Sequence, residues 1–255
     1  MAILWKKISK DAVYEVRTAG ESCRLYKNGV LHSQFNPNQP VSGQVWDLLL
    51  LSAFFHEPPN PPRILLLGLG GGTVIRQLQH FLRIESITAV ELDPIHIRIA
   101  TRFFKIRGKT VDLICADARQ WLRQYQGPPF DLIIDDLFGE ESGEPVRAIA
   151  ADSQWARLLL KHLSSKGTIA MNFVSPAAAK QSAFVENPTI QRRIANAFVL
   201  TNPKNENGVG VFLRSPGSVV QLRHRLNRFP QLDSRKKGCR LRFKAANMLP
   251  RPKKS

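Results

Sequence analysis

Five short apolar runs, four of which stop at a glycine or an acid, constrain this chain more than any other feature. Residues 64–67 run into Gly68-Leu69-Gly70-Gly71-Gly72, and 87–90 into Glu91-Leu92-Asp93-Pro94. Residues 111–115 lead to Asp117, 130–134 to Asp135 and Asp136, and a fifth run covers 168–173. Helical patterning separates them at 73–81, 94–104, 118–124 and 148–162, with a further helix expected over 187–197. Strands that are apolar throughout need cover on both faces, which a parallel sheet between helix layers provides. A (β/α)8 barrel needs eight such units. Here there is room for about five and a closing pair of strands at 198–201 and 208–214, so the expected fold is a doubly wound, mostly parallel α/β sheet.

The flanks read differently. Residues 12–18 and 22–26 form a hairpin pattern, and Asn28-Gly29 offers the left-handed turn that leads to Val30. A helix is expected over 43–55, and the prolines of 58–62 mark a boundary. The chain therefore divides into a small β region with its linking helix (1–57), an α/β domain (63–215) and a basic tail (216–255). Net charge is +17, and residues 216–255 hold twelve Lys/Arg against the single acid Asp233. Such a tail predicts weak contact with a polyanion, or simply a solvated surface. Three widely spaced cysteines give neither a metal pair nor a disulfide framework. No apolar run approaches the ~18 residues of a membrane span, and the start lacks an export core, so a cytoplasmic protein is expected.

Function should lie at the carboxyl ends of the strands, where open α/β sheets bind ligands. The loop at Gly68, Gly70 and Gly71 lets backbone approach a ligand closely. Glu91, 23 residues beyond Gly68, ends the second strand where a carboxylate accepts ribose hydroxyls. The third glycine of a dinucleotide fingerprint is replaced by Thr73, and no Gly-Lys-Ser/Thr follows. Asp117, after the third strand, suits the exocyclic amine of adenine. Spacing by itself says only that a nucleoside binds.

Together the glycine loop, Glu91 and Asp117 resemble the adenosyl-sulfonium site of class I methyltransferases. Residues 14–213 also resemble the spermidine synthase (polyamine aminopropyltransferase) superfamily. The matching pieces are Ile64-Leu65-Leu66-Leu67-Gly68, Val90-Glu91-Leu92-Asp93-Pro94, Ala116-Asp117-Ala118-Arg119, Phe130 through Asp136, and Asn172-Phe173-Val174-Ser175-Pro176. The resemblance implies an S-adenosylmethionine-type ligand held by Gly68, Gly70, Gly71, Glu91, Asp117 and Ala118. It places amine activation on Asp136, with Asp135 as its helper or as a cap. The pattern departs where the family continues Asp-Ser-Ser-Asp-Pro: Gly139 falls on the second aspartate, and His32 on an amino-terminal glutamine.

Residues 135–144 carry five acids and no base, which predicts a cationic acceptor beside the site. Trp46, Trp121 and Trp155 read as core, and His80, His96 and His162 lack metal-ligand spacing, so no metal site is expected. The favoured expectation is methyl transfer from S-adenosylmethionine to an amine or a basic peptide. Aminopropyl transfer from decarboxylated S-adenosylmethionine ranks second, and an adenosyl-binding scaffold with a polyanion-binding tail third. An oligomer is compatible with each.

Overall fold

The weak alternation near the start builds more sheet than a hairpin. The computed structural model, which describes residues 1–9, 12–57, 60–141 and 144–249, places four antiparallel strands there in sequential order. They are β1 (Ala2–Ser9), β2 (Ala12–Ala19), β3 (Ser22–Lys27) and β4 (Val30–Phe35). One face is buried through Tyr14, Val16 and Leu25. Asn28 and Gly29 take φ values of 51° and 81°, the doubly left-handed turn that matches strand twist. The expected 43–55 helix is shorter, with α1 spanning Val45–Leu51 and one tighter turn over Ser52–Phe54. Asp47, fully buried in α1, accepts hydrogen bonds from the Ser42 amide and hydroxyl, the Gly43 amide and Gln77 Nε2. Of the proline boundary at 58–62, Pro58 and Pro59 lie outside the described residues.

The α/β body then follows the expected rhythm: β5 (Arg63–Leu67), α2 (Thr73–Phe81), β6 (Ser86–Glu91), α3 (Pro94–Arg102), β7 (Val111–Cys115), α4 (Ala118–Gln124) and β8 (Phe130–Asp135). Beyond it the chain forms a hairpin of β9 (Phe138–Glu141) and β10 (Glu144–Arg147), then α5 (Ser153–Lys161) and β11 (Leu163–Phe173). Three short helices follow, α6 (Pro176–Lys180), α7 (Ala183–Glu186) and α8 (Pro188–Gln191), then β12 (Asn196–Thr201) and β13 (Gly208–Leu213). The helix expected from residue 148 starts five residues later because Asp152 caps it, accepting from the Trp155 amide at 2.8 Å. The one expected over 187–197 stops at Gln191 because Asn196 already pairs with Leu213 in the sheet.

The eight-stranded sheet runs β14-β12-β13-β11-β8-β5-β6-β7, where β14 is Lys244–Asn247. The five strands from β11 to β7 are parallel, and β13, β12 and β14 close one edge antiparallel. From β5 the chain moves outward to β6 and β7, then returns to β8 on the other side. The β5/β8 seam is thus the topological switch point, the place where open α/β sheets bind ligands.

The carboxyl-terminal segment differs from the tail read from its charge. Helix α9 (Val219–Leu226) buries Leu222 and Leu226, and Leu232, Cys239 and Leu241 join the same core. β14 adds to β12. Averaged charge hid sparse leucines at helical spacing, which suffice to anchor a segment whose basic groups point outward. Among the described residues no helix is long and apolar enough to cross a membrane.

Candidate active site

The glycine loop leaves β5 at the seam. The Gly68 amide donates to the Val90 carbonyl at 2.9 Å, and the Asp136 amide to the Leu67 carbonyl at 2.8 Å. Gly68 has φ +87°, and a Cβ there would stand 2.3 Å from the Asp136 carbonyl oxygen. This glycine is required by the close crossing of two loops, before any ligand is considered. A Cβ at Gly70 would meet Ser33 Oγ at 2.8 Å, and the Gly71 amide donates to Ser33 Oγ at 2.6 Å. Strand β4 therefore rests on the loop, which couples the small β region to the site.

Glu91 ends β6 almost wholly buried. Its Oε2 accepts from the amides of Leu69 (2.8 Å) and Gly70 (3.2 Å), and its Oε1 from that of Asp93 (2.9 Å). His96 Nδ1, one turn into α3, lies 3.6 Å from Oε2. Burial works to raise the pKa of Glu91, but His96 and the Asp93 and Leu69 amides outweigh it and hold the carboxyl below its ordinary value. Asp93 caps α3 by accepting from the Ile95 amide (2.9 Å), and takes the Tyr14 hydroxyl from β2 at 2.6 Å. Asp117 is half-buried and caps α4 through the Gln120 amide at 2.8 Å, with Ala118 buried beside it.

The two acids after β8 part company. Asp135 is fully buried, and its Oδ2 accepts from Arg147 Nη2 at 2.8 Å and Trp155 Nε1 at 2.7 Å. Arg147, at the end of β10, also donates to the carbonyls of Asn172 (2.5 Å) and Ile149 (3.2 Å). Asp135 thus anchors the hairpin and α5 to the sheet. Asp136 keeps some exposure and has no ion pair among the described residues; Asn172 Nδ2 donates to its Oδ1 at 2.8 Å. Asn207 Nδ2 in turn donates to Asn172 Oδ1 at 3.1 Å. Burial of its carboxyl raises the Asp136 pKa to about 6; the Asn172 hydrogen bond opposes that rise and the Asp135 charge adds to it.

The fold therefore gathers Gly68, Glu91 and Asp136 around one seam, with Asp117 at the end of the next strand but one. Gly139, in the family's second-aspartate position, is a hairpin residue opposite Val146. The side chains of Glu140, Glu141 and Glu144 lie outside the described residues, and with them most of the acidic patch. His32 stands beside His96, ring centroids 5.7 Å apart. Trp155 is core, as its helical face predicts, yet its indole also reaches Asp135; this contact, Asn207 and the Arg147–Asp135 pair carry no local sequence signal. All three act through partners far along the chain, which no local pattern encodes.

Comparison with known proteins decides the family. The model of the spermine/spermidine synthase domain matches residues 48–209. The chain belongs to that family. Polyamine aminopropyltransferase 2 of Caldanaerobacter subterraneus subsp. tengcongensis is 25% identical over 175 residues, 68% of this chain and 55% of the relative. Polyamine aminopropyltransferase 2 of Ralstonia nicotianae is 28% identical over 179 residues, 67% of this chain and 34% of the relative. The chain thus spans about half the length of the first and a third of the second. A probable spermidine synthase from Corynebacterium glutamicum superposes with a TM-score of 0.70 over 89% of this chain and 88% of its own, at 18% identity, which supports the shared fold. These relatives are named for aminopropyl transfer, the reaction ranked second in the sequence reading.

The residues present suit an adenosyl-sulfonium donor. A carboxylate offers about four acceptor positions, and three backbone amides occupy three at Glu91, leaving Oε1 able to take a ribose hydroxyl. Asp136 has no ion pair among the described residues.

Proposed function

We propose that this chain is an aminopropyltransferase that joins the aminopropyl group of decarboxylated S-adenosylmethionine to an amine. The observation that carries the reading is Asp136, a carboxylate at the switch point with no ion pair among the described residues and a pKa of about 6, in a chain of this family. Glu91 would hold the ribose, with Asp117 and Ala118 beside the adenine and Gly68, Gly70 and Gly71 shaping the turn beneath. The donor's sulfonium supplies an activated carbon and a neutral thioether leaving group.

The protein's task is then alignment and proton management. Only a neutral amine has the lone pair for attack, whereas a free alkylamine is protonated at pH 7. Asp136, ionised at that pH, would bind the ammonium, orient it and accept its proton within hydrogen-bond reach. Asn172 holds the carboxylate in one orientation, and the buried Asp135–Arg147 pair keeps the surrounding backbone fixed.

The test is side-by-side calorimetry with S-adenosylmethionine and its decarboxylated form, followed by incubation with diamines and mass analysis of the products. Preference for the decarboxylated form and a 57 Da gain on a diamine, about the mass of one aminopropyl group less hydrogen, support the reading. Preference for the carboxylated form with a methylated product overturns it.

A further inference from the structure

A concavity lies on the carboxyl-terminal segment, and none of the seam residues named above lines it. It has a volume of about 200 Å³ and is formed between α9, the turns that follow it and the approach to β14. Leu226 and Leu232 supply apolar lining, and Arg223, Asn227, Arg235 and Phe243 surround them. The Arg223 guanidinium lies 4.9 Å from the Phe243 ring centroid. Asp233, buried beneath, holds Arg235 through Nε (2.8 Å) and Nη2 (3.0 Å), so that guanidinium is fixed at the rim.

Charge surrounds the cleft on one sign. Residues 216–249 contain nine Lys/Arg and one acid, Asp233. Arg228 is taken by Glu57, and Arg225 lies 3.9 Å from the same acid. Arg223, Lys236, Lys237, Arg240, Arg242 and Lys244 have no acidic partner among the described residues. A basic surface alone attracts any polyanion. An aromatic ring with an arginine over it, beside an apolar pocket and inside such a surface, selects for a planar ring attached to phosphate. We propose that this face binds single-stranded nucleic acid, one base entering the cleft beside Phe243 and the flanking phosphates lying on the surrounding Arg and Lys side chains. A duplex buries its base faces and would engage the surface charges only.

The experiment uses the full chain, without donor or acceptor, so its outcome is independent of the proposed transfer reaction. Fluorescence anisotropy would follow a labelled 12-nucleotide oligo(dT), its duplex with oligo(dA), and competition by vesicles containing phosphatidylserine. Single-strand binding should weaken about twentyfold between 50 and 200 mM salt if about three phosphates are neutralised. Phe243→Ala removes the ring that holds the Arg223 guanidinium, on whose outer face the base stacks, and should weaken single-strand binding about tenfold while leaving duplex binding unchanged. Arg223→Glu changes an exposed side chain, tests the same cleft without touching its lining core, and should weaken single strands more than duplex. The proposal is overturned by equal affinity for single strand and duplex that neither variant alters, by binding to vesicles in preference to oligonucleotides, or by no oligonucleotide binding at 50 mM salt.

Discussion

Glu91 and Asp136 are both acids at the carboxyl edge of one sheet, two strands apart, and the protein treats them in opposite ways. Glu91 is engaged by three backbone amides and neighboured by His96, which keeps it ionised despite burial. Asp136 is desolvated by burial, which outweighs its one side-chain hydrogen bond and, with the adjacent Asp135 charge, raises its pKa to about 6. One carboxylate is committed to being a fixed acceptor; the other can exchange a proton near neutral pH. A transferase that grips a nucleoside at one end and activates an amine at the other needs both kinds. Asp135 supplies an internal control, since it adjoins Asp136 but is already paired with Arg147 and Trp155.

The largest break in this contrast is Asp136→Asn. The amide keeps the size and loses the proton acceptor, so turnover should fall by about 10²- to 10⁴-fold, with donor affinity by calorimetry near that of the unchanged protein. Full activity would move proton acceptance elsewhere. In the unchanged protein, turnover should rise with pH through a limb near 6, as Asp136 loses its proton. The same shift has a stability consequence of opposite sense. The folded state holds this proton more tightly than the unfolded chain, so the contribution of Asp136 to stability falls as pH rises from about 4 to about 6.

Asp135→Asn should act on the fold first. It leaves Arg147 buried without its counter-charge, a loss of about 3 kcal/mol in denaturant unfolding. It also removes a negative neighbour of Asp136, so any residual activity should show its limb at lower pH. A variant with unchanged stability would mean that the hairpin is held by other contacts. Glu91→Ala comes next, with donor affinity reduced by about 1 to 3 kcal/mol and the pH limb moved slightly lower, since the Glu91 charge adds to the raised pKa of Asp136. Unaltered affinity would remove Glu91 from the ribose.

How much of this was legible in the residues follows from the range of the interactions. Helix α2 is read to the residue, since the apolar spacing of 73–81 and the glycines before it are local signals. The parallel sheet follows from fully apolar strands between helices, and Glu91 from its position after β6. The hairpin of β9 and β10 was not foreseen, since its strands are polar and only four residues each. The carboxyl-terminal core was masked by charge, although Leu222 and Leu226 sit one helical turn apart. Local pattern hides the difference between Asp135 and Asp136, which only the family resemblance separates, by placing amine activation on Asp136 with Asp135 as helper or cap. Two adjacent aspartates read alike until Trp155, 20 residues on, and Asn172, 36 residues on, are brought to different ones by folding.

The smallest expected effect belongs to Asn172→Ala, and it isolates the cause of Asp136's character. Asn172 donates to the carboxylate and therefore favours its charged form, against the larger push of burial. Removing the donor should raise the Asp136 pKa further and carry the limb of the pH–rate profile toward alkaline values. The rate at its plateau should drop less than in Asp136→Asn, because the acceptor oxygen is still present. Asn207 would lose its partner at 3.1 Å and retain its bond to the Phe173 carbonyl at 3.3 Å, so the loop carrying it keeps an attachment. Asn172→Gln, which keeps the amide, should return the limb part of the way. A plateau loss with an unmoved limb in both variants would make Asn172 a packing residue, and would leave burial, Asp135 and Glu91 as the sources of the raised pKa.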